Sequence, residues 1–405
     1  MSAVERIRSI ALRPEDLGFS SDRLARIRPA LEREVAEKRI PGAVAMVARR
    51  GEVAFLEAVG VRDPATGAAM TPDTIFSIAS MTKVMTSVAL LMLYEEGRLL
   101  LSDPASKYLP QLAGMRVGVG EGSDFRLVPA THDFTLQDLL RHTSGLTYPG
   151  RGNAEAHKRQ PGDPFKMALT RERDEFLDLL GKTPLLYQPG TAWEYGYSTD
   201  IVGHVVEVVS GKTLGTFLKE RLWEPLGMLD TSFLLAPEKT GRYAHAFPND
   251  VLTGDPVSIF HAKPVAPKWE TGGGGAVSTA ADYMRFAQML LNRGIFEGRR
   301  YLSRKTVAYM TADHLGPDIE NRVTTMDPAC AGYGFGLGVA VRLGAGVAGV
   351  IGSAGDYYWS GVFGTYFWID PVEDLAVVFM GAAPGQIRLR YRALLRPLVL
   401  QAIVD

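Results

Sequence analysis

The sequence predicts an α+β fold: one antiparallel sheet built from both ends of the chain and flanked by helices, with a mainly helical region inserted between its two halves. Three observations lead there. Strand-like runs occur near both termini, at Ala43 to Ala48 and Val53 to Val59, and again from Tyr333 onward. Helical patterns and loops rich in Pro, Gly and Asp fill the middle, roughly Pro110 to Lys268. A long run from Ser80 is apolar nearly all round, the pattern of a buried helix. The implied domains are residues 1–109 with 270–405, a discontinuous α/β domain, and residues 110–269, a mainly helical one, with a cleft between them.

Taken in order, a first helix starts near Ser21 and carries Leu24, Ile27, Leu31 and Val35 on one face, with Pro29 placed to kink it. Arg50-Gly51 joins the first two strand runs as a hairpin. Between Val84 and Leu93 only Thr86 and Ser87 are polar, and Gly97 suits the C-cap of that helix. Further helices are predicted over Thr135 to His142 and Asp200 to Ser210. Gly272 to Gly275 reads as a tight turn, and Thr279 with Asp282 as a capping box opening a helix to about Leu291. Strands are predicted over Tyr333 to Val341, Gly361 to Ile369 and Leu375 to Met380, then a helix from Gln386 to Val404 interrupted at Pro397. Gly114 to Pro129 and Gly150 to Lys166 read as loops beside the cleft that shape specificity.

Composition excludes several classes of function. The 405 residues can bury a large core, and 46% hydrophobic with 22% charged residues is an ordinary globular balance. A net charge of −1 gives no electrostatic case for nucleic acid or an anionic membrane as partner. No apolar stretch approaches bilayer length and no signal-peptide core precedes Glu15, so the expected location is cytoplasmic. The single cysteine, Cys330, excludes an intramolecular disulfide and reads as an inert core thiol. Gly-x-Ser-x-Gly, His-Glu-x-x-His and metal-ligand histidine spacings are all missing from the sequence, so neither metal nor organic cofactor is expected.

The positive signal is Ser80-Met81-Thr82-Lys83 at the start of the buried helix. A spacing of three puts Ser80 and Lys83 on one helix face. A lysine in so apolar a stretch is costly unless paired or neutralised, and there it can serve as a base toward a neighbouring hydroxyl. The helix N-terminus offers backbone N–H groups to an oxyanion. Alone, the tetrapeptide is equally an N-cap serine followed by a chance lysine.

Three further segments resemble the beta-lactamase/penicillin-binding superfamily. They are Thr135-Leu136-Gln137-Asp138-Leu139-Leu140-Arg141-His142-Thr143-Ser144-Gly145-Leu146, Pro189-Gly190-Thr191-Ala192-Trp193-Glu194-Tyr195, and Gly274-Gly275-Ala276-Val277-Ser278-Thr279-Ala280-Ala281-Asp282. Within that superfamily the chain most resembles the class C beta-lactamase-like carboxylesterases called family VIII; related polyketide acyltransferases look similar. The resemblance implies a beta-lactamase/transpeptidase-like fold, Ser80 as nucleophile, and Lys83 with Tyr195 as the pair that activates it. Trp359-Ser360-Gly361 is similar to the esterases' third motif, ahead of a strand expected near Val362. By the same resemblance the Val362 amide joins that of Ser80 in an oxyanion hole, and Trp359, Ser360, Gly361 and Tyr197 face the substrate. His142 is expected to be structural, and His132 and His261 carry no role.

Two departures from the lactamase pattern matter. Tyr195-Gly196-Tyr197 lacks the usual asparagine, and Trp359 stands where the lactamases carry a cation. Losing a charge-assisted contact weakens recognition of anionic lactams, and an aromatic wall suits a neutral ester. The expected function is therefore ester hydrolysis through a Ser80 acyl-enzyme on a small-molecule substrate. The alternatives are acyl transfer to an alcohol, a beta-lactamase or D-amino-acid peptidase, and a non-catalytic binding protein on the same fold.

Overall fold

The computed structural model describes residues 13–257, 259, 261 and 265–405. Its main sheet has eight antiparallel strands: β1 (Gly42–Arg49), β2 (Glu52–Asp63), β3 (Ala68–Ala69), β4 (Tyr333–Phe335), β5 (Ala340–Arg342), β6 (Tyr357–Ser360), β7 (Tyr366–Asp370) and β8 (Leu375–Gly381). Their order is β4-β5-β6-β7-β8-β1-β2-β3, so the two ends of the chain meet where β8 pairs with β1. This is the expected α+β architecture, with the sheet drawn from both termini and residues 136–226 contributing mainly helices.

Every residue of β1 and β8 is buried, and both strands are near-continuous apolar runs because helices cover both faces of the sheet there. On one face Phe367 meets Tyr283 of the Ala280–Leu291 helix at 5.0 Å between ring centroids. On the other, Phe379, the cross-strand partner of Tyr366, stacks on Tyr391 of the Arg388–Leu400 helix at 5.4 Å. Arg50 and Gly51 both have positive φ, +54° and +82°, as a two-residue hairpin turn requires.

Several elements differ from expectation. The first helix is two, Ser21–Leu24 and Ile27–Ala36, and the break falls before Pro29. Pro29 then lies in a first turn, where its missing N–H is not needed. The run from Tyr333 to Val341 is not one strand but the β4–β5 hairpin. Gly338, at φ +102°, makes its turn, and a Cβ there would stand 2.4 Å from Ser87 Oγ of the Thr82–Glu95 helix. The strand expected from Gly361 starts at Tyr366, and β6 precedes it, because residues 361–364 form the connecting turn. Gly114 to Pro129 holds a hairpin, Arg116–Val119 with Arg126–Pro129. The capping box at Thr279 is half made: its hydroxyl accepts from Asp282 N, but the Asp282 carboxylate accepts from Asp230 N and Thr231 instead.

Candidate active site

Ser80 sits in a short 3-10 turn, Ala79–Met81, that feeds the Thr82–Glu95 helix. Ala79 is held at φ +44°, a conformation that costs a non-glycine residue energy and persists only where the surroundings enforce it. The turn presents Ser80 to a cleft of about 290 Å³. Lys83, one turn on, is 1% exposed. Its Nζ donates to the Gly273 carbonyl and lies 3.3 Å from Tyr148 OH and 3.5 Å from Ser80 Oγ, so three acceptors face the three ammonium hydrogens.

A buried network continues from Lys83. Tyr148 OH donates to Asp200 Oδ2 at 3.0 Å, and Asp200 Oδ1 accepts from Gly273 N at 2.9 Å. Burial raises the pKa of the Asp200 carboxyl, against the opposing pull of the Lys83 charge. Burial, and then the neighbouring Asp200 charge, hold the Tyr148 phenol well above the ordinary tyrosine range. The glycine run is thus more than a turn: a Cβ at Gly272 would stand 2.7 Å from Thr199 O, and one at Gly273 2.6 Å from Asp200 Oδ2. Only glycine lets the backbone come close enough to serve both Lys83 and Asp200.

Tyr195 lines the cleft with Ser80. Lys83 Nζ lies 4.6 Å from its ring centroid and Arg151 Cζ 6.0 Å, so two cations flank its face. Its oxygen accepts from Trp359 Nε1 at 3.3 Å. Among the described residues no hydrogen bond joins Lys83 to the Tyr195 oxygen; the phenol that touches the ammonium is Tyr148. Tyr197 does not face the cleft: it is fully buried, edge-on to Tyr148, with its hydroxyl donated to the Gly162 carbonyl. It braces the wall rather than lining it.

The third motif closes β6 instead of preceding a strand. Trp359, Ser360 and Val362 line the cleft; Gly361 does not, and it lies against the Ile78 carbonyl, where a Cβ would stand at 2.4 Å. In the turn after β6, Gly361 N bonds to Thr365 O and Gly364 N to Gly361 O. Among the described residues neither the Val362 nor the Ser80 amide has a hydrogen-bond partner. Pro149, Gly150, Arg151, Asp163, Pro164 and Phe165 border the same cleft, as expected of the segment after residue 150, whereas no residue of the 114–129 hairpin does.

His142 is buried, at φ +59°, with its ring 4.9 Å from that of Tyr195. Burial, reinforced by the Lys83 charge, holds it well below the ordinary histidine range, so it is neutral and part of the aromatic backing of Tyr195. Cys330 is buried at the cleft wall against Tyr358 OH, and burial pushes its thiol up to about 12. Among the described residues no group of three or more His, Cys, Asp and Glu side chains stands where it could hold a metal ion.

Residues 27–396 match the beta-lactamase family. The chain belongs to that family. Within it, the chain is similar to esterase EstB of Burkholderia gladioli, at 31% identity over 374 residues covering 88% of this chain and 89% of EstB. It is also similar to lovastatin esterase of Penicillium rubens, at 28% over 295 residues covering 69% and 70%. Among solved structures, EstCE1, a hydrolase with promiscuous acyltransferase activity, superposes with a TM-score of 0.75 at 24% identity over 93% of this chain and 98% of its own. The beta-lactamase-like fold expected from the motifs is therefore the fold observed.

Sequence reasoning missed Tyr148, Asp200 and Gly273. Tyr148 follows Leu146 of the first family segment by two residues, and that adjacency was a usable signal. Asp200 was visible only as an acidic residue near a helix start, which is ordinary.

Proposed function

We propose that this esterase-type serine hydrolase cleaves carboxylic esters through an acyl-enzyme on Ser80. The observation that carries the reading is the contact of Lys83 Nζ with Ser80 Oγ at 3.5 Å, at a cleft where the Ser80 and Val362 amides are free to receive an oxyanion. Ser80 Oγ attacks the ester carbonyl and a C–O bond forms. Its proton passes to the Lys83–tyrosine pair and then to the departing alkoxide as the second C–O bond breaks. Water, deprotonated by the same pair, releases the acid and restores Ser80.

Tyr195 is the better proton carrier of the two phenols. Tyr148 spends its proton on Asp200, whose charge disfavours a phenolate beside it. The Tyr195 oxygen accepts its hydrogen bond from Trp359, its ring faces two cations, and it borders the reaction space. Tyr148, Asp200 and the Gly273 carbonyl position the ammonium. Ser80→Ala is expected to abolish hydrolysis of p-nitrophenyl butyrate. Turnover unchanged in that variant would remove Ser80 as nucleophile and the reading with it.

A further inference from the structure

Arg388 opens the Arg388–Leu400 helix and Arg392 follows one turn later, so both side chains leave the same helix face. Both line the cleft that Ser80 lines. Arg392 is compensated: its Nη1 donates to Asp327 Oδ2 at 3.1 Å, and both side chains are buried. Arg388 is not. Its Nη1 donates to the Gly385 carbonyl, and its Nε is buried with no partner among the described residues. Among the described residues no carboxylate stands within salt-bridge distance of it.

The two largest local influences oppose that charge. Burial, and then the neighbouring Arg392, push Arg388 down to about 10, and the positive end of the helix adds to the repulsion. Asp327 and Asp250 pull the other way from beyond salt-bridge distance, and a cation kept in such a place without a direct counter-charge is costly unless an anion arrives. The other acids of the cleft are engaged: Asp163 caps the Pro164–Thr170 helix, Asp200 is held by Tyr148 and Gly273, and Asp327 by Arg392. The position faces the chemistry, since Arg388 borders the same cleft as Ser80 and Tyr195.

We propose that Arg388, backed by Arg392, is an anion-binding subsite, and that the esters cleaved at Ser80 carry a carboxylate that this guanidinium receives. The inference rests on the esterase reading and corrects its neutral substrate: positive charge missing at position 359 is supplied from the terminal helix. A guanidinium presents paired N–H donors that match a carboxylate.

Two substrate pairs test it. The mono-p-nitrophenyl ester of succinate is compared with its methyl-capped diester, and 3-carboxyphenyl butyrate with 3-carbamoylphenyl butyrate. In at least one pair the carboxylate member is expected to show a kcat/KM at least tenfold above its neutral partner, with the excess shrinking in 0.5 M NaCl. Arg388→Met is expected to lower that ratio at least tenfold, and Arg388→Lys to restore part of it. A neutral preference in both pairs, or a ratio unmoved by Arg388→Met, overturns the subsite. The wild-type ratios and their salt dependence decide the matter without any variant. If these results come with hydrolysis that Ser80→Ala abolishes, only the subsite falls; hydrolysis that survives Ser80→Ala removes the esterase reading instead.

Discussion

Asp356 and Lys83 are both almost fully buried charges, 0% and 1% exposed, and the protein surrounds them in opposite ways. Asp356 lies beneath β4–β7 in a closed cluster. It accepts from Arg342 Nε at 2.7 Å, from Arg396 Nη1 and Nη2 at 2.9 and 3.2 Å, and from Tyr333 OH at 2.8 Å. Arg396 also donates to Tyr366 OH at 2.9 Å. Burial works against the Arg396 charge, but Tyr366 and Asp356 outweigh it and hold its pKa above the usual range. Lys83, by contrast, donates to the Gly273 carbonyl, reaches Ser80 at 3.5 Å and Tyr148 at 3.3 Å, and among the described residues meets no carboxylate directly. Charge clamped by short, ion-paired bonds cannot move a proton. Charge left with long contacts to hydroxyls can, and Lys83 makes such a contact with the serine that lines the cleft.

The comparison breaks most sharply in a pair of variants. Lys83→Ala should cost about a thousandfold or more in p-nitrophenyl butyrate turnover. Its melting temperature should hold or rise, because a buried, weakly paired ammonium is removed. Asp356→Asn should do the reverse, costing about 3–5 kcal/mol by stranding two buried guanidinium groups. In a chain of this length that is a fall of about 5 °C. Its kcat/KM per folded molecule should stay within about twofold. Equal losses of stability in the two variants would remove the distinction.

A finer cut separates the two phenols. Tyr195→Phe should reduce kcat about a hundredfold or more with little change in KM. Tyr148→Phe should cost about tenfold, by loosening Lys83 rather than by removing a proton carrier. The opposite ranking would assign the base to Tyr148, the tyrosine in contact with the ammonium.

What the sequence disclosed follows the same divide. Ser80 and Lys83 were legible because a spacing of three on a buried helix fixes their relation locally, and the structure keeps it. The apolar runs of β1 and β8 were legible for the same reason. The partners of Lys83 were not, because Gly273, Tyr148 and Asp200 reach it from three separate segments, and no local periodicity records where a chain folds back. Tyr197 was misplaced by one such choice: two residues from Tyr195, it faces away and donates to Gly162. Arg388 and Arg392 drew no reading within the helix predicted from Gln386, because only the fold turns them toward the cleft.

The smallest effect concerns a third buried polar group that the protein keeps uncharged. His261 Nε2 donates to the Gly275 carbonyl at 2.8 Å, which leaves Nδ1 to accept from Ser77 Oγ at 2.7 Å. Burial pushes it down to about 4, although the Gly275 carbonyl favours the charged ring. An unfolded histidine takes up a proton near pH 6.5. The unfolded chain therefore binds more protons than the folded one between the two values, and stability falls as pH drops from about 6.5 to 4, by at most about 3 kcal/mol from this residue. His261→Gln keeps a donor for Gly275 and cannot titrate. Chemical denaturation at pH 7, 6, 5 and 4.5 should show a shallower acid loss for the variant, by close to one proton at the low end. Parallel pH profiles for the two proteins would mean that His261 is already protonated in the folded state. Ser77 would then have to surrender its role as donor to the ring, and the polar contacts three residues before the nucleophile would rearrange with pH.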